Sequence, residues 1–361
     1  MKTHTNQLFS DEDFALAQAE GLVRERTHPE NPELFILNYT EKAAYDRVWN
    51  DVTLNCRGLI VDAFNWVVAR PFPKFFNYGQ PGCPEIDLDE LAVVSDKLDG
   101  SLGILYRNPA TGKYAIATRG SFESEQAIHA TEMLNTKYAD YVPPAGVTML
   151  FEIVYPENRI VCNYGDMDDL VLIGSVDIAN GDNWDADQDW DWPGPKAEIF
   201  PFRTMREALT FPPRAGKEGF VVHFLLSGHR VKIKQEDYIQ LHRIVTGLNA
   251  RSVWEAMLYD EVAELIEKIP DEFHDFIRGV EESINTEVWW NVTNAEKLYD
   301  LALLQLGDNP SKKDFAILVK DNSDSWALFT LWDGKDIHRE FLRRAKPAHN
   351  YSPVKVDNDA D

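Results

Sequence analysis

The chain has 361 residues, 44% of them hydrophobic, and 36 Lys and Arg stand against 60 Asp and Glu for a formal net charge of −24. This composition excludes a disordered chain and suffices for one large domain plus a smaller one. The polar start, residues 1–7, and the lack of a long apolar run predict no secretory leader and no membrane span, hence a cytosolic protein. Cys56, Cys83 and Cys162 are odd in number and have no CxxC spacing, which argues against a disulfide framework or structural zinc. The acidic balance disfavours an extended nucleic-acid surface but leaves room for a local basic groove.

In chain order, residues 10–27 read as a helix. Ser10 can cap it, Asp11 to Asp13 favour its N-terminal dipole, and Phe14, Leu16, Leu22 and Val23 recur near helical spacing. A strand is predicted at 34–39. Short β-branched and aromatic runs then alternate with turns at 58–62, 66–69, 102–106, 148–155, 170–176, 219–224 and 230–234, with a helix at 123–137. The fold class predicted is α+β, with antiparallel sheets flanked by helices over residues 1–240. Beyond 240 the apolar spacing turns helical, through Val253, Trp254, Met257, Leu265 and Ile266, then Phe273, Phe276, Ile277, Val280 and Ile284. Further helices are predicted at 295–306, 311–321, 324–332 and 335–345, making an all-helical domain over 241–346 and leaving 347–361 as a flexible acidic tail.

The strongest local signal is Lys97-Leu98-Asp99-Gly100-Ser101, placed between the apolar runs 91–94 and 102–106. Taken alone, it is also an ordinary Asp-Gly hairpin turn with a solvated lysine. Its companions are Glu152 in Leu150 to Tyr155, Glu218 in Lys217 to Val222, and Lys232 and Lys234 in Val231 to Lys234. Two residues apart in a strand, Lys232 and Lys234 point to one face, a pattern that suits a phosphate-facing sheet or simply an amphipathic strand.

With these residues in view, the chain resembles the covalent nucleotidyltransferase superfamily of ligases and capping enzymes, and most of all the ATP-dependent RNA ligases of the T-even-phage RNA ligase 1 family. The similarity runs from about residue 35 into the helical region and adds Cys56-Arg57-Gly58-Leu59, Pro73-Lys74-Phe75-Phe76-Asn77 and Thr118-Arg119-Gly120-Ser121. Arg119 stands where the family often has lysine, which preserves the charge but changes the geometry of its contacts.

The resemblance implies that Lys97 is the nucleophile. A lysine attacks the α-phosphorus of ATP only when deprotonated, against a free pKa near ~10.4, and nearby positive charge from Lys232, Lys234 and a divalent ion favours that form. Lys97 would carry AMP and pass it to a 5′-phosphate RNA end, which a 3′-hydroxyl then attacks to seal the strand. The resemblance further implies nucleotide binding by Arg57, Lys74, Asp99, Gly100, Arg119, Glu152, Lys232 and Lys234, and a Mg2+ or Mn2+ ion held by Glu218 and Glu152. Gly100 would allow close approach to the nucleotide, Arg57 and Lys74 would engage the triphosphate or the RNA 5′-phosphate with Phe76 packed nearby, and Phe75 reads equally as core. ATP is the implied co-substrate and RNA the partner, either single-stranded or a nicked tRNA anticodon loop. A functional pairing with an end-healing kinase/phosphatase is implied too, in a phage-type protein acting in a host cytosol.

A DNA ligase or capping enzyme shares the lysine and carboxylates but follows them with a β-rich domain, which the helical pattern disfavours. Asp185 to Asp191 has acidic residues where a calcium loop begins, but Trp190 replaces its glycine and Lys196 its final glutamate, so it reads as a solvated acidic insertion. His223 reads as a packed or surface residue. His338, Arg339, Arg343, Arg344 and Lys346 read first as a solvated helix face.

Overall fold

The computed structural model describes residues 3–188, 190–267, 269 and 273–353. The chain divides into two units, the first ending at His242 and the second beginning at Arg243.

In the first unit, helix α1 (Asp11–Ala19) is capped by Ser10, whose hydroxyl accepts from the amide of Asp13. It stops eight residues short of the predicted end because Gly21 takes φ +69°, a conformation that ends helices at little cost to glycine. Leu22 and Val23 therefore reach the core by another route, at the start of strand β1 (Val23–His28), which pairs with β2 (Asn31–Tyr39). Short helices α2 (Glu41–Tyr45) and α3 (Asp51–Asn55) lead to β3 (Arg57–Asp62) and β4 (Val67–Ala69), completing an antiparallel sheet β1-β2-β3-β4.

Next along the chain come β5 (Phe76–Asn77), β6 (Ala92–Lys97), β7 (Ser101–Arg107), β8 (Tyr114–Ala117), helix α4 (Glu125–Thr136), β9 (Val147–Val154), β10 (Asp169–Asp177) and β11 (Asn183–Asp185). They are followed by β12 (Ile199–Phe200), α5 (Met205–Thr210), β13 (Gly219–Phe224), β14 (Arg230–Lys234) and α6 (Glu236–Gly247). One five-stranded sheet runs β11-β10-β9-β7-β8 and a second runs β12-β6-β13-β14-β5, antiparallel except for the β14–β5 pair. Leu34, Ile36 and Ile60 of the first sheet pack on Ile104, Leu150 and Val176 of the second. Helix α4 covers that sheet's other face through Ala130, Met133 and Leu134, and α5 covers the third sheet through Met205 and Ala208.

The acidic segment is not a solvated insertion at its start. Asp185 ends β11 and is 7% exposed, Ala186 is buried, and Trp192 packs against Tyr138 and Phe151. Asp189 lies outside the described residues.

The second unit is helical: α7 (Ala250–Leu258), α8 (Val262–Glu267), α9 (His274–Leu306), α10 (Lys312–Val319), α11 (Ser325–Trp332) and α12 (His338–Arg344). The two helices predicted within 273–306 are one helix of 33 residues, because neither proline nor a capping break intervenes. Its buried face runs through Ile277, Val280, Ile284, Val288, Ala295 and Ala302, and Gly307 at φ +74° ends it. Of the tail, 354–361 lie outside the described residues. Residues 347–353, which the sequence assigns to a loose tail, instead bond to α7 and its cap: Arg251 donates to the carbonyls of Pro347 and Ala348, and the amide of Ala250 to that of Tyr351. Among the described residues no helix is long and apolar enough to cross a membrane.

Candidate nucleotidyl-transfer site

The strand register builds the site. Gly219 at the start of β13 is opposite Lys97 on one side and Lys234 on the other, so the residue before it, Glu218, lies between two ammonium groups. Nζ of Lys97 donates to Oε2 of Glu218 at 2.7 Å, and Nζ of Lys234 lies 2.9 Å from Oε1. Glu218 is 2% exposed. The charge surrounding Lys97 therefore differs from the sequence expectation of flanking lysines, since a carboxylate stands between the amine and its neighbour.

One cavity is lined by Lys97, Asp99, Gly100, Glu152, Glu218, Lys232, Lys234, Arg57 and Arg119 together. The alternation of β14 puts Lys232 and Lys234 on the cavity side while Val231 and Ile233 pack into the apolar cluster behind the sheet. The ring of Phe75 is shared by two cations, with Arg57 5.4 Å and Lys232 5.1 Å from its centroid. Phe75 thus lines the cavity, whereas Phe76 is buried in β5. Arg119 is buried, donates to the hydroxyl of Tyr39 at 2.6 Å and lies over its ring.

Two of the residues named from the sequence have contacts within the protein that the sequence does not show. Lys74 is not among the residues lining this cavity; its ammonium sits over Tyr39, Trp49 and Phe76, at 5.4, 5.7 and 5.8 Å. Gly100 is needed for contact with the protein's own backbone, since a Cβ there would lie 2.6 Å from the carbonyl oxygen of Ile153 in β9. Its amide donates to Oε1 of Glu152 at 2.9 Å, so Glu152 fastens the turn after Lys97 to β9.

Asp99 is a buried hub. Its Oδ2 accepts from the amides of Val161 and Cys162 at 2.8 and 2.7 Å, its Oδ1 accepts from the hydroxyl of Tyr238 at 2.7 Å, and its own amide donates to Tyr164. Burial, then the charges of Asp99 and Glu218, push the Cys162 thiol up to about 12. His242 lines the same cavity and is held below the ordinary imidazole value, first by burial and then by Lys234.

Sequence reasoning missed Ser95, Asp96, Arg214, Tyr164, Tyr238, His242 and the grouping of Asp185 and Arg230 with His223, which is buried as a packed residue. Asp96 is buried and bonded to Arg214 at 2.7 Å, bracing the strand that ends in Lys97. Asp185 accepts from Arg230 at 2.7 Å and lies 2.8 Å from Nδ1 of His223, tying β11 to β13 and β14 at the far end of the cavity. Arg230 was visible as the first residue of the Lys232 strand, and an alternating count places it on the cavity face. Nothing local marked Tyr238.

Among the described residues no group of three or more His, Cys, Asp or Glu is gathered as an ion cage. Two carboxylates facing a cavity suit a hard cation that completes its shell with phosphate oxygens and water, and Glu218 and Glu152 are such a pair.

Residues 55–238 match the RNA ligase family of the T4 RNA ligase 1 type. An RNA ligase of Rhodothermus phage RM378 is 23% identical over 394 aligned positions, covering 84% of this chain and 86% of that protein. A protein of Autographa californica nuclear polyhedrosis virus that carries the name bifunctional polynucleotide kinase/RNA ligase is 28% identical over 240 residues, covering 58% of this chain and 34% of that protein. The chain thus spans about a third of the length of that baculovirus relative. Among solved structures, an archaeal ATP-dependent RNA ligase in its form 2 aligns with a TM-score of 0.42 and 12% identity, over 93% of this chain and 76% of that one.

Proposed function

The chain belongs to the RNA ligase family that matches its residues 55–238, and from that premise we propose that it joins RNA ends with ATP through a covalent AMP adduct on Lys97. The observation that carries this reading is the bridging of Lys97 and Lys234 by Glu218 inside a cavity that also presents Lys232, Arg57 and Arg119.

In the first step the unprotonated Nζ of Lys97 attacks the α-phosphorus of ATP. A P–N bond forms, the bond from the α-phosphorus to the bridging oxygen breaks, pyrophosphate leaves with that electron pair, and the amine's remaining extra proton passes to solvent. Lys232 and Lys234 stabilise the charge that develops on the phosphoryl oxygens, and Arg57 and Arg119 receive phosphate groups. A Mg2+ or Mn2+ ion held by Glu218 and Glu152 supplies further charge neutralisation at the phosphates when bound. Glu218 must exchange its two ammonium partners for that role, which frees the amine as the substrate arrives.

In the second step a 5′-phosphate oxygen of RNA attacks the same phosphorus and Lys97 leaves, taking up a proton. In the third, a 3′-hydroxyl attacks the 5′-phosphorus, loses its proton, and AMP departs. The substrate is single-stranded RNA or a nicked tRNA anticodon loop, supplied by a kinase/phosphatase that leaves 5′-phosphate and 3′-hydroxyl ends in the cytosol. The paired kinase and ligase in the baculovirus relative's name supports that pairing.

Incubation with α-labelled ATP and magnesium tests the reading. Label stays on the wild-type chain after denaturation and is absent from Lys97→Ala. No labelling of the wild type, or labelling that survives Lys97→Ala, overturns it. Preference for ATP over GTP, and for RNA over nicked DNA, separates this reading from capping and DNA ligation.

A further inference from the structure

The turn after Lys97 is held by a side chain that belongs to none of its neighbouring strands. Tyr238, in the first turn of α6, donates its hydroxyl to Oδ1 of Asp99 at 2.7 Å, across 139 positions of sequence. The other oxygen of Asp99 is taken by two backbone amides. The carboxylate is thus engaged by three protein donors, a pattern that suits an anchor better than a group that reaches substrate.

The same tyrosine also contacts one of the lysines of the site. The ammonium of Lys234 lies 5.4 Å from the centroid of its ring, and Lys234 shares Glu218 with Lys97. One side chain therefore contacts both the turn that follows the nucleophile and the lysine that shares its carboxylate. The ring packs with Val161 and Cys162, whose amides bind Asp99, so the loop, the turn and α6 form one buried cluster. Burial, then Glu218 and Asp99, pushes the phenol well above its ordinary value, which keeps it a donor at any working pH.

We propose that Tyr238 is a positioning residue for adenylate transfer: its hydroxyl, acting through Asp99, fixes the turn after Lys97 and so sets the line along which the lysine amine meets the α-phosphorus. This rests on Lys97 being the nucleophile. In-line attack is sensitive to placement, and an error on the order of 1 Å lowers a rate by about 100-fold.

Tyr238→Phe keeps the ring against Lys234 and removes only the hydroxyl. In the full chain two rates are measured: single-turnover labelling by α-labelled ATP, which requires attack by Lys97, and sealing of chemically pre-adenylated RNA, which does not. Labelling is expected to fall about 10- to 100-fold while sealing changes far less. Equal losses in both rates would mean a merely structural role and overturn the proposal, as would labelling at the wild-type rate. Incorporation of 4-aminophenylalanine in place of Tyr238 restores a donor on the same ring and is expected to recover labelling. Failure to recover overturns the proposal even where Tyr238→Phe folds poorly. A wild-type chain that never labels overturns the reading of Lys97 instead.

Discussion

Nζ of Lys97 and Oε2 of Glu218 are 2.7 Å apart, joining the last residue of β6 to the residue that precedes β13. The amine at the centre of the site is thus held as an ion pair, with side-chain exposures of 12% and 2%.

Removing the Glu218 charge should therefore cost stability as well as activity. Glu218→Gln removes the carboxylate charge that Lys97 and Lys234 share, and loss of one partner from a buried pair costs about 3–5 kcal/mol. Urea unfolding is expected to show that loss. The double variant with Lys97→Met should lose less than the sum of the single changes, because the two sites interact directly.

The glycines at the site tolerate no side chain. In Gly219→Ala a Cβ would stand 1.8 Å from the carbonyl oxygen of Ile233, at φ +154°, and in Gly100→Ala 2.6 Å from that of Ile153. Either substitution forces strands apart and is expected to cost at least about 1–3 kcal/mol, with Gly219→Ala the worse. In contrast, Gly279 lies inside α9 with nothing within 4 Å of its Cβ position, and Gly279→Ala should stabilise by about 0.5–1 kcal/mol. Thermal melts of the three variants check the order.

Asp185 makes part of the fold acid-sensitive. Burial alone would raise its carboxyl, but His223 and Arg230 outweigh burial and hold it below the ordinary value. A carboxylate depressed in the folded state contributes stability that is present above its unfolded pKa, near ~3.9, and lost as pH falls through the lower folded value. Stability is therefore expected to drop below about pH 4, and the drop should be shallower in Asp185→Asn, although that variant is less stable at pH 7. Urea midpoints from pH 3 to pH 7 decide it.

Arg119 is not interchangeable with lysine here. The guanidinium both donates to the Tyr39 hydroxyl at 2.6 Å and lies 5.0 Å from the ring centroid. A lysine at that position keeps the charge but cannot lay a flat donor array over the ring while bonding its hydroxyl. Arg119→Lys is expected to slow ATP labelling by about 10-fold, about 1.4 kcal/mol, and Tyr39→Phe to recover none of it. The rates of labelling in the two single variants and the double variant measure this.

Much of the fold was legible because its signals are local. Strands 219–224 and 230–234 coincide with β13 and β14, since alternation and flanking turns are properties of a few neighbouring residues. The α+β class, the helical second unit and the grouping of Lys97 with Glu152, Glu218, Lys232 and Lys234 were visible in the same way or through resemblance. The α1 boundary was missed because apolar spacing at Leu22 and Val23 fits a helix or a strand, and only the backbone at Gly21 decides which.

By itself, then, the sequence determined that Lys97 sits in a tight turn between two strands and that two lysines share a strand face. Only the tertiary structure decided what the turn is fastened to. Asp99 meets Tyr238 across 139 positions and Tyr164 across 65, and Lys97 meets Glu218 across 121. Such contacts depend on strand register and on where α6 begins, which are set jointly by packing over the whole unit and leave no periodic trace around either partner. For the same reason Asp185, one acidic residue among several along the chain, gave no sign that it is buried against His223 and Arg230.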